Sequence, residues 1–331
     1  MDNIDTVREE GFKDRSRWLA IVGLIEILIG GLCGLCGLFL SLFSRVLRQN
    51  PETANLLTGQ MLLLSVLTFL ALALFFMWLG IGTMRARRWA RDLMLVTAWL
   101  WLIVGALSYI LMFLVMYRML LKVAASGPEF LSGGMFVAAM IINGIVLGFL
   151  YVILPGILVL FYGGRNVRKT FETRDPVIGW TSRCPLPALT VSQFLAAGGI
   201  TLLLAPIYTN AVPFFGSLVT GMPGKLILIL SGLLLCYLTW AIYKLKIHGW
   251  WINLLFTILG LVSLIPTFSK LDLTEYYAKG GLPLRQGDVI MSVDLPGGKT
   301  FMVILGILGM AWIGFLILIK KHFRKFGDRR L

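Results

Sequence analysis

An apolar run of about 20 residues with almost no charge matches the roughly 30 Å hydrocarbon core of a bilayer. This chain has eight such runs, at 18–43, 61–82, 93–117, 134–162, 190–212, 225–244, 250–268 and 300–319. They are too long for soluble core helices. They do not alternate polar and apolar residues over about ten positions, as barrel strands do. The rest of the composition agrees. Of 331 residues 58% are hydrophobic and 14% charged, and the mean hydropathy is +0.87. Soluble chains carry about 25% charged residues. A pair of soluble domains, a disordered chain, a coiled coil and a disulfide-stapled secreted domain are thereby excluded. The expected fold class is all-α, a polytopic membrane protein with eight transmembrane helices.

Basic residues flank the runs unevenly. Taking the N-terminal segment, the even-numbered loops and the tail as one side, 21 of the 30 Lys and Arg residues fall there. Short basic loops stay cytoplasmic, so both termini are expected inside. The first run lacks a small-x-small cleavage site and is much longer than a signal peptide core of about 7–15 residues. It is read as a retained helix. A net charge of +14 in a soluble chain would suggest nucleic acid. Here the charge sits in short turns beside lipid headgroups, so the expected partners are the bilayer and its anionic lipids, with no nucleic acid.

An internal repeat is suggested by two turns. Arg85-Ala86-Arg87-Arg88-Trp89-Ala90-Arg91-Asp92-Leu93 resembles Lys246-Ile247-His248-Gly249-Trp250-Trp251-Ile252-Asn253-Leu254, 161 residues later. The same offset brings Gly37 onto Gly198. Four spans per unit is an even number, so the expected architecture is two parallel four-helix units. The division is then 1–17 cytoplasmic segment, 18–162 first unit, 163–189 cytoplasmic linker, 190–319 second unit and 320–331 basic cytoplasmic tail. The outer loop 269–299 is expected to form a small β-hairpin.

Polar chemistry inside the runs is sparse. Glu26 is the one ionisable residue deep in a span, eight residues beyond Trp18. At about 1.5 Å per residue it lies roughly 12 Å in, near mid-membrane. Intramembrane carboxylates often mark ion or proton routes. Asn143 and Gln193 complete the candidate intramembrane polar site. Gly30 and Gly34 form a GxxxG pair that continues to Gly37, with Gly198 and Gly199 in the fifth run. Such small faces permit close helix approach. Cys33 and Cys36 are spaced as CxxC but lie inside a helix without charge to stabilise a thiolate, so redox chemistry is not expected. With His248 and His322 the only histidines, a His₃ zinc site or a bis-His haem cannot be built. No catalytic constellation, cofactor or metal is expected.

Arg85, Arg87, Arg88 and Arg91 interleave with Trp89, and Lys246 stands near Trp250. Arginine toward phosphate and tryptophan at headgroup level is an interface or lipid anchor. Arg88-Trp89-Ala90-Arg91 and Trp180-Thr181-Ser182-Arg183-Cys184-Pro185-Leu186-Pro187 resemble segments of uncharacterised bacterial multi-pass membrane proteins. The resemblance covers these two turns and implies a bacterial inner-membrane setting, with no activity attached. The sequence therefore points to a non-enzymatic integral membrane component that binds membrane-protein partners, a second copy of itself, or lipid. The alternative is a small secondary transporter or channel with a cavity near Glu26.

Overall fold

The computed structural model describes residues 14–49, 59–125, 134–177, 179–270 and 298–327. The helices are α1 (Ser16–Gln49), α2 (Gly59–Met84), α3 (Arg88–Ala125), α4 (Gly134–Gly148), α5 (Leu154–Gly163), α6 (Arg165–Arg174), α7 (Leu186–Leu204), α8 (Gly221–Tyr243), α9 (Ile247–Lys270) and α10 (Gly298–Gly327). Among the described residues eight spans are long and apolar enough to cross a membrane, with α4 and α5 forming one of them. The protein is an integral, multi-pass membrane protein. The outer loop expected to form a hairpin falls almost wholly outside the described residues. The chain divides into two compact units, the first from Met1–Gly105 and Phe149–Leu186, the second from Ala106–Gly148 and Pro187–Leu331. Both α3 and the fourth span contribute to each.

In the first unit, α1 and α2 run antiparallel along a glycine seam. A Cβ on Gly23 would lie 2.8 Å from the Gly80 carbonyl oxygen, and one on Gly30 would lie 2.8 Å from that of Ala73. A Cβ on Gly37 would meet Phe69 Cβ at 3.0 Å. These glycines recur every seven residues, the spacing that keeps one helical stripe facing a partner. The GxxxG reading is corrected in detail: Gly34 makes only ordinary contact with Ala73, at 3.7 Å. The opposite stripe, Leu28, Leu32, Leu35, Phe39 and Leu42, is exposed. Apolar side chains outward and small ones inward are what a lipid solvent selects, because backbone contact rather than apolar burial drives association there.

The fourth span changes hydrogen-bond register before Pro155. A π-helical turn, Phe149–Ile153, joins α4 to α5. Proline lacks the N–H of the helical ladder, and a wider turn absorbs the break. After Gly164 the chain enters α6, within the segment 163–189 expected to be a linker. Its pattern is amphipathic: Val167, Thr170 and Phe171 are buried. It is tied to the start of α1 by Arg15 N–H donating to Thr170 Oγ1 at 3.2 Å and by an Arg174–Asp14 ion pair at 3.3 Å. Asp14 also caps α1 by accepting the Ser16 N–H at 2.9 Å. That hydrogen bond holds the Asp14 carboxyl below its ordinary range.

The second unit contains α7, a β-hairpin of β1 (Val212–Phe214) and β2 (Ser217–Val219), and then α8, α9 and α10. The fifth run thus ends earlier than its hydropathy suggests. Phe215 and Gly216 at the hairpin tip have φ of 44° and 89°, as a tight two-residue turn requires. Their N–H groups donate to Ser263 Oγ and Thr267 Oγ1 of α9 at 3.2 and 2.9 Å.

The turns α2–α3 and α8–α9 share one geometry. Ala86 and Leu245 both have positive φ, 49° and 54°. Ala86 N–H bonds Thr83 O and Arg87 N–H bonds Gly82 O, while Leu245 N–H bonds Ile242 O and Lys246 N–H bonds Ala241 O, all at 2.9 Å. Leu245 stands 159 residues after Ala86, so the matching spacing is 159, not the 161 suggested by the tryptophans. Side chains follow the same spacing: Trp78 stacks on Trp89, and Tyr237 stacks on His248. A small pair closes each turn with the roles exchanged. A Cβ on Gly82 would lie 2.7 Å from Ala90 Cβ, and one on Gly249 would lie 2.7 Å from Ala241 Cβ.

Candidate functional site

Glu26 is fully buried, as are Thr83 and Tyr162. The Thr83 hydroxyl donates to Glu26 Oε2 at 3.0 Å, and the Tyr162 hydroxyl donates to Glu26 Oε1. Thr83 Oγ1 and Tyr162 OH are themselves 3.0 Å apart. Three side chains from α1, α2 and α5 thus close a ring within the first unit. Its depth differs from the mid-membrane expectation. Thr83 is the next-to-last residue of α2, and Tyr162 the next-to-last of α5. Glu26 is therefore level with helix ends, because α1 begins well before the other spans close. Neither partner was singled out by sequence reasoning. The available signal was a hydroxyl residue one position inside a span's end, in two helices ending on the same side.

The second polar site lies at the same ends of the helices in this unit. Arg88, Arg91 and Asp92 from the start of α3, Arg168 and Glu172 from α6, and Ser182 with Cys184 from the following loop line a pocket of about 310 Å³. Asp92 is its hub. It accepts from Thr181 Oγ1 at 3.0 Å, Ser182 Oγ at 3.1 Å and Arg91 Nη1 at 3.2 Å. Arg88 Nη2 donates to the Glu172 carbonyl at 2.8 Å, and the Arg88 backbone N–H is capped by Asp175 Oδ2 at 3.1 Å. Arg168 pairs with Glu172 at 2.8 Å, a bond that holds its guanidinium charged above even the ordinary arginine range. The Nε groups of Arg88 and Arg91 are buried without a protein partner. Three guanidiniums face two carboxylates, so the pocket carries a net positive charge and spare donors.

The remaining sequence candidates scatter. Arg85 and Arg87 are exposed, and Trp89 is half-buried against Trp78. Lys246 lies 3.8 Å over the Trp240 ring. Trp250 is corrected from an interface anchor to a core residue: it is 2% exposed, and its indole N–H donates to the Leu316 carbonyl at 2.7 Å. Asn143 is exposed and Gln193 half-buried, and both belong to the second unit whereas Glu26 belongs to the first. Gly199 packs tightly, its Cβ position 3.0 Å from Cys236 Sγ, while Gly198 makes only an ordinary contact at 3.4 Å. His248 Nε2 bonds the Tyr237 hydroxyl at 3.0 Å. Among the described residues no three His, Cys, Asp or Glu side chains are grouped to hold a metal.

Burial pushes the Cys184 thiol up to about 12. Its thiolate population at neutral pH should fall about a thousandfold below that of a free cysteine, since each pKa step is tenfold. Alkylation of the native protein, followed by peptide mapping, is expected to leave Cys184 unmodified until the chain is unfolded. Rapid native labelling would contradict the packing described for this loop.

The fold and these two sites define a class: an eight-span membrane protein with a buried carboxyl–hydroxyl ring and a basic pocket at one end of its first unit. Comparison with protein-family models, characterised proteins and solved structures finds no match for this chain.

Proposed function

We propose that this chain is a non-enzymatic integral membrane component that holds an anionic lipid headgroup at its cytoplasmic face. The pocket formed by Arg88, Arg91 and Arg168 carries this reading. A volume of about 310 Å³ accommodates a phosphate-bearing headgroup. The guanidiniums of Arg88, Arg91 and Arg168 that line it offer the planar hydrogen bonding that suits phosphate. The surplus of basic residues on the same predicted side supports it, because that leaflet is negatively charged. The inner-membrane setting and inside termini belong to this proposal.

Lipid retention tests it. Full-length protein exchanged into detergent with equal phosphatidylglycerol and phosphatidylcholine is expected to keep the anionic lipid. Replacing Arg88 and Arg168 by glutamine should weaken retention by about 1 kcal/mol per residue, roughly fivefold for each. Equal retention of both lipids, or no response to the two substitutions, would sink the lipid reading. Co-purification of a stoichiometric protein released by the same substitutions would move the pocket to protein docking.

A further inference from the structure

The ring of Glu26, Thr83 and Tyr162 has three edges, and its protons can be counted. Each hydroxyl owns one proton and two lone pairs, and an ionised carboxylate owns none. If Glu26 is ionised, both hydroxyl protons go to the carboxylate. The edge between Thr83 Oγ1 and Tyr162 OH, 3.0 Å long, then has no proton between two lone-pair-bearing oxygens. If Glu26 carries a proton, three protons fill three edges and the ring closes. Partly satisfied buried networks are costly, so the geometry is complete only with that third proton.

The second unit provides an internal comparison. Gly30 packs on Ala73 and Met77, and Gly199 packs on Gly232 and Cys236, which stand 159 residues after them. In that register Glu26 corresponds to Leu195, since Gly199 follows Leu195 as Gly30 follows Glu26, and Thr83 corresponds to Ile242. Leu195 and Ile242 are both buried, at 4% and 0% exposure. The same helix contact is thus made with apolar side chains, so packing does not demand the polar ring.

We propose that Glu26, Thr83 and Tyr162 form a proton-binding site in a hairpin whose counterpart in the second unit is apolar. The bound species is a proton held on the Glu26 carboxyl and hydrogen-bonded around the ring. Tyr162 of α5 is the other titratable group in contact with Glu26, and α2 contributes the neutral Thr83. The nearest basic residues along α2, Arg85 and Arg87, are exposed beyond the helix end. Loss of the proton opens one edge where three helices meet, which couples occupancy to the α1–α2–α5 contact.

Infrared spectroscopy of the full-length protein in lipid vesicles tests this, titrated from about pH 5 to about pH 9, a range in which exposed carboxyls are ionised. At neutral pH the wild type is expected to show a protonated-carboxyl carbonyl band that Glu26→Gln abolishes. Thr83→Val and Tyr162→Phe should each keep the band and shift it, because each removes two of the three ring bonds and leaves Glu26 one hydroxyl partner. A wild type without the band at neutral pH overturns the proposal, whether or not any variant folds. A band that survives Glu26→Gln does the same. Because the folded state holds a proton that the unfolded chain releases, the wild type should lose stability as pH rises across this range. Glu26→Leu with Thr83→Ile, which installs the residues of the second unit, should insert and unfold without that loss. Retention of that dependence also overturns the proposal.

Discussion

Alanine at Gly30 is expected to destabilise the protein by about 2–3 kcal/mol, while alanine at the adjacent Gly31 is expected to be neutral or slightly stabilising. Both positions are glycine, both lie within α1, and both changes add one methyl. Only the neighbours differ. A Cβ at Gly30 would meet a backbone oxygen of α2 at 2.8 Å, and one at Gly31 would meet nothing within 4 Å. A backbone oxygen cannot swing aside as a side chain can, so the helices must separate along the whole seam. Overpacking of this kind typically costs about 1–3 kcal/mol. At Gly31 the intrinsic helix preference for alanine, up to about 1 kcal/mol, is unopposed. Unfolding in mixed micelles with increasing sodium dodecyl sulfate, followed by circular dichroism, measures both. Equal responses at the two positions would mean that the seam is not where α1 and α2 touch.

Trp250→Ala is expected to cost about 3–5 kcal/mol, the range for truncating a buried tryptophan or phenylalanine. The neighbouring Trp251→Ala should cost only about 0.5–1 kcal/mol, the worth of an exposed ring beneath the Lys320 ammonium 4.3 Å away. Trp250 is 2% exposed and Trp251 is 53% exposed. Trp250→Phe separates the two contributions of Trp250. It keeps an aromatic ring beneath the Lys320 ammonium, now 4.5 Å above the indole, but loses the N–H bond to the Leu316 carbonyl. That variant should lose about 0.5–1.5 kcal/mol, the net worth of one hydrogen bond, because the Leu316 carbonyl lies inside α10 and keeps its helical donor. The same titration reads all three. A Trp250→Ala protein as stable as the wild type would return this residue to the lipid interface.

The spans were legible because bilayer thickness imposes length and lack of charge, and both can be read one residue at a time. The seam was half legible. Gly30 and Gly37 stood out as small residues, but the sevenfold recurrence from Gly23 through both was obscured by Gly34, which satisfies a familiar pattern while making only ordinary contact. Trp89 and Trp250 misled in the same way. Two tryptophans after basic residues looked equivalent, yet the backbone of the turns pairs Trp89 with His248. A stacking position accepts several aromatic rings, so residue identity was a weaker guide than the positive-φ residues Ala86 and Leu245. Glu26 was visible from sequence because a buried acid is rare. Thr83 and Tyr162 were not, since hydroxyl residues are common near helix ends and only the tertiary contact singles them out. The helix α6 was missed because ten residues with a mostly charged surface resemble a linker until Val167 and Phe171 are seen to share a face.

The exchanged pair that closes the two turns has a wider meaning. Gly82 faces Ala90, and Ala241 faces Gly249. What the turn restricts is the combined volume of two side chains, not the identity of either one. In both turns the pair together holds one methyl group, and in the first a methyl on Gly82 would also meet the Trp89 ring at 2.6 Å. Information about this turn is therefore stored in a correlation between two places in the chain, where a reading of single positions finds only variation.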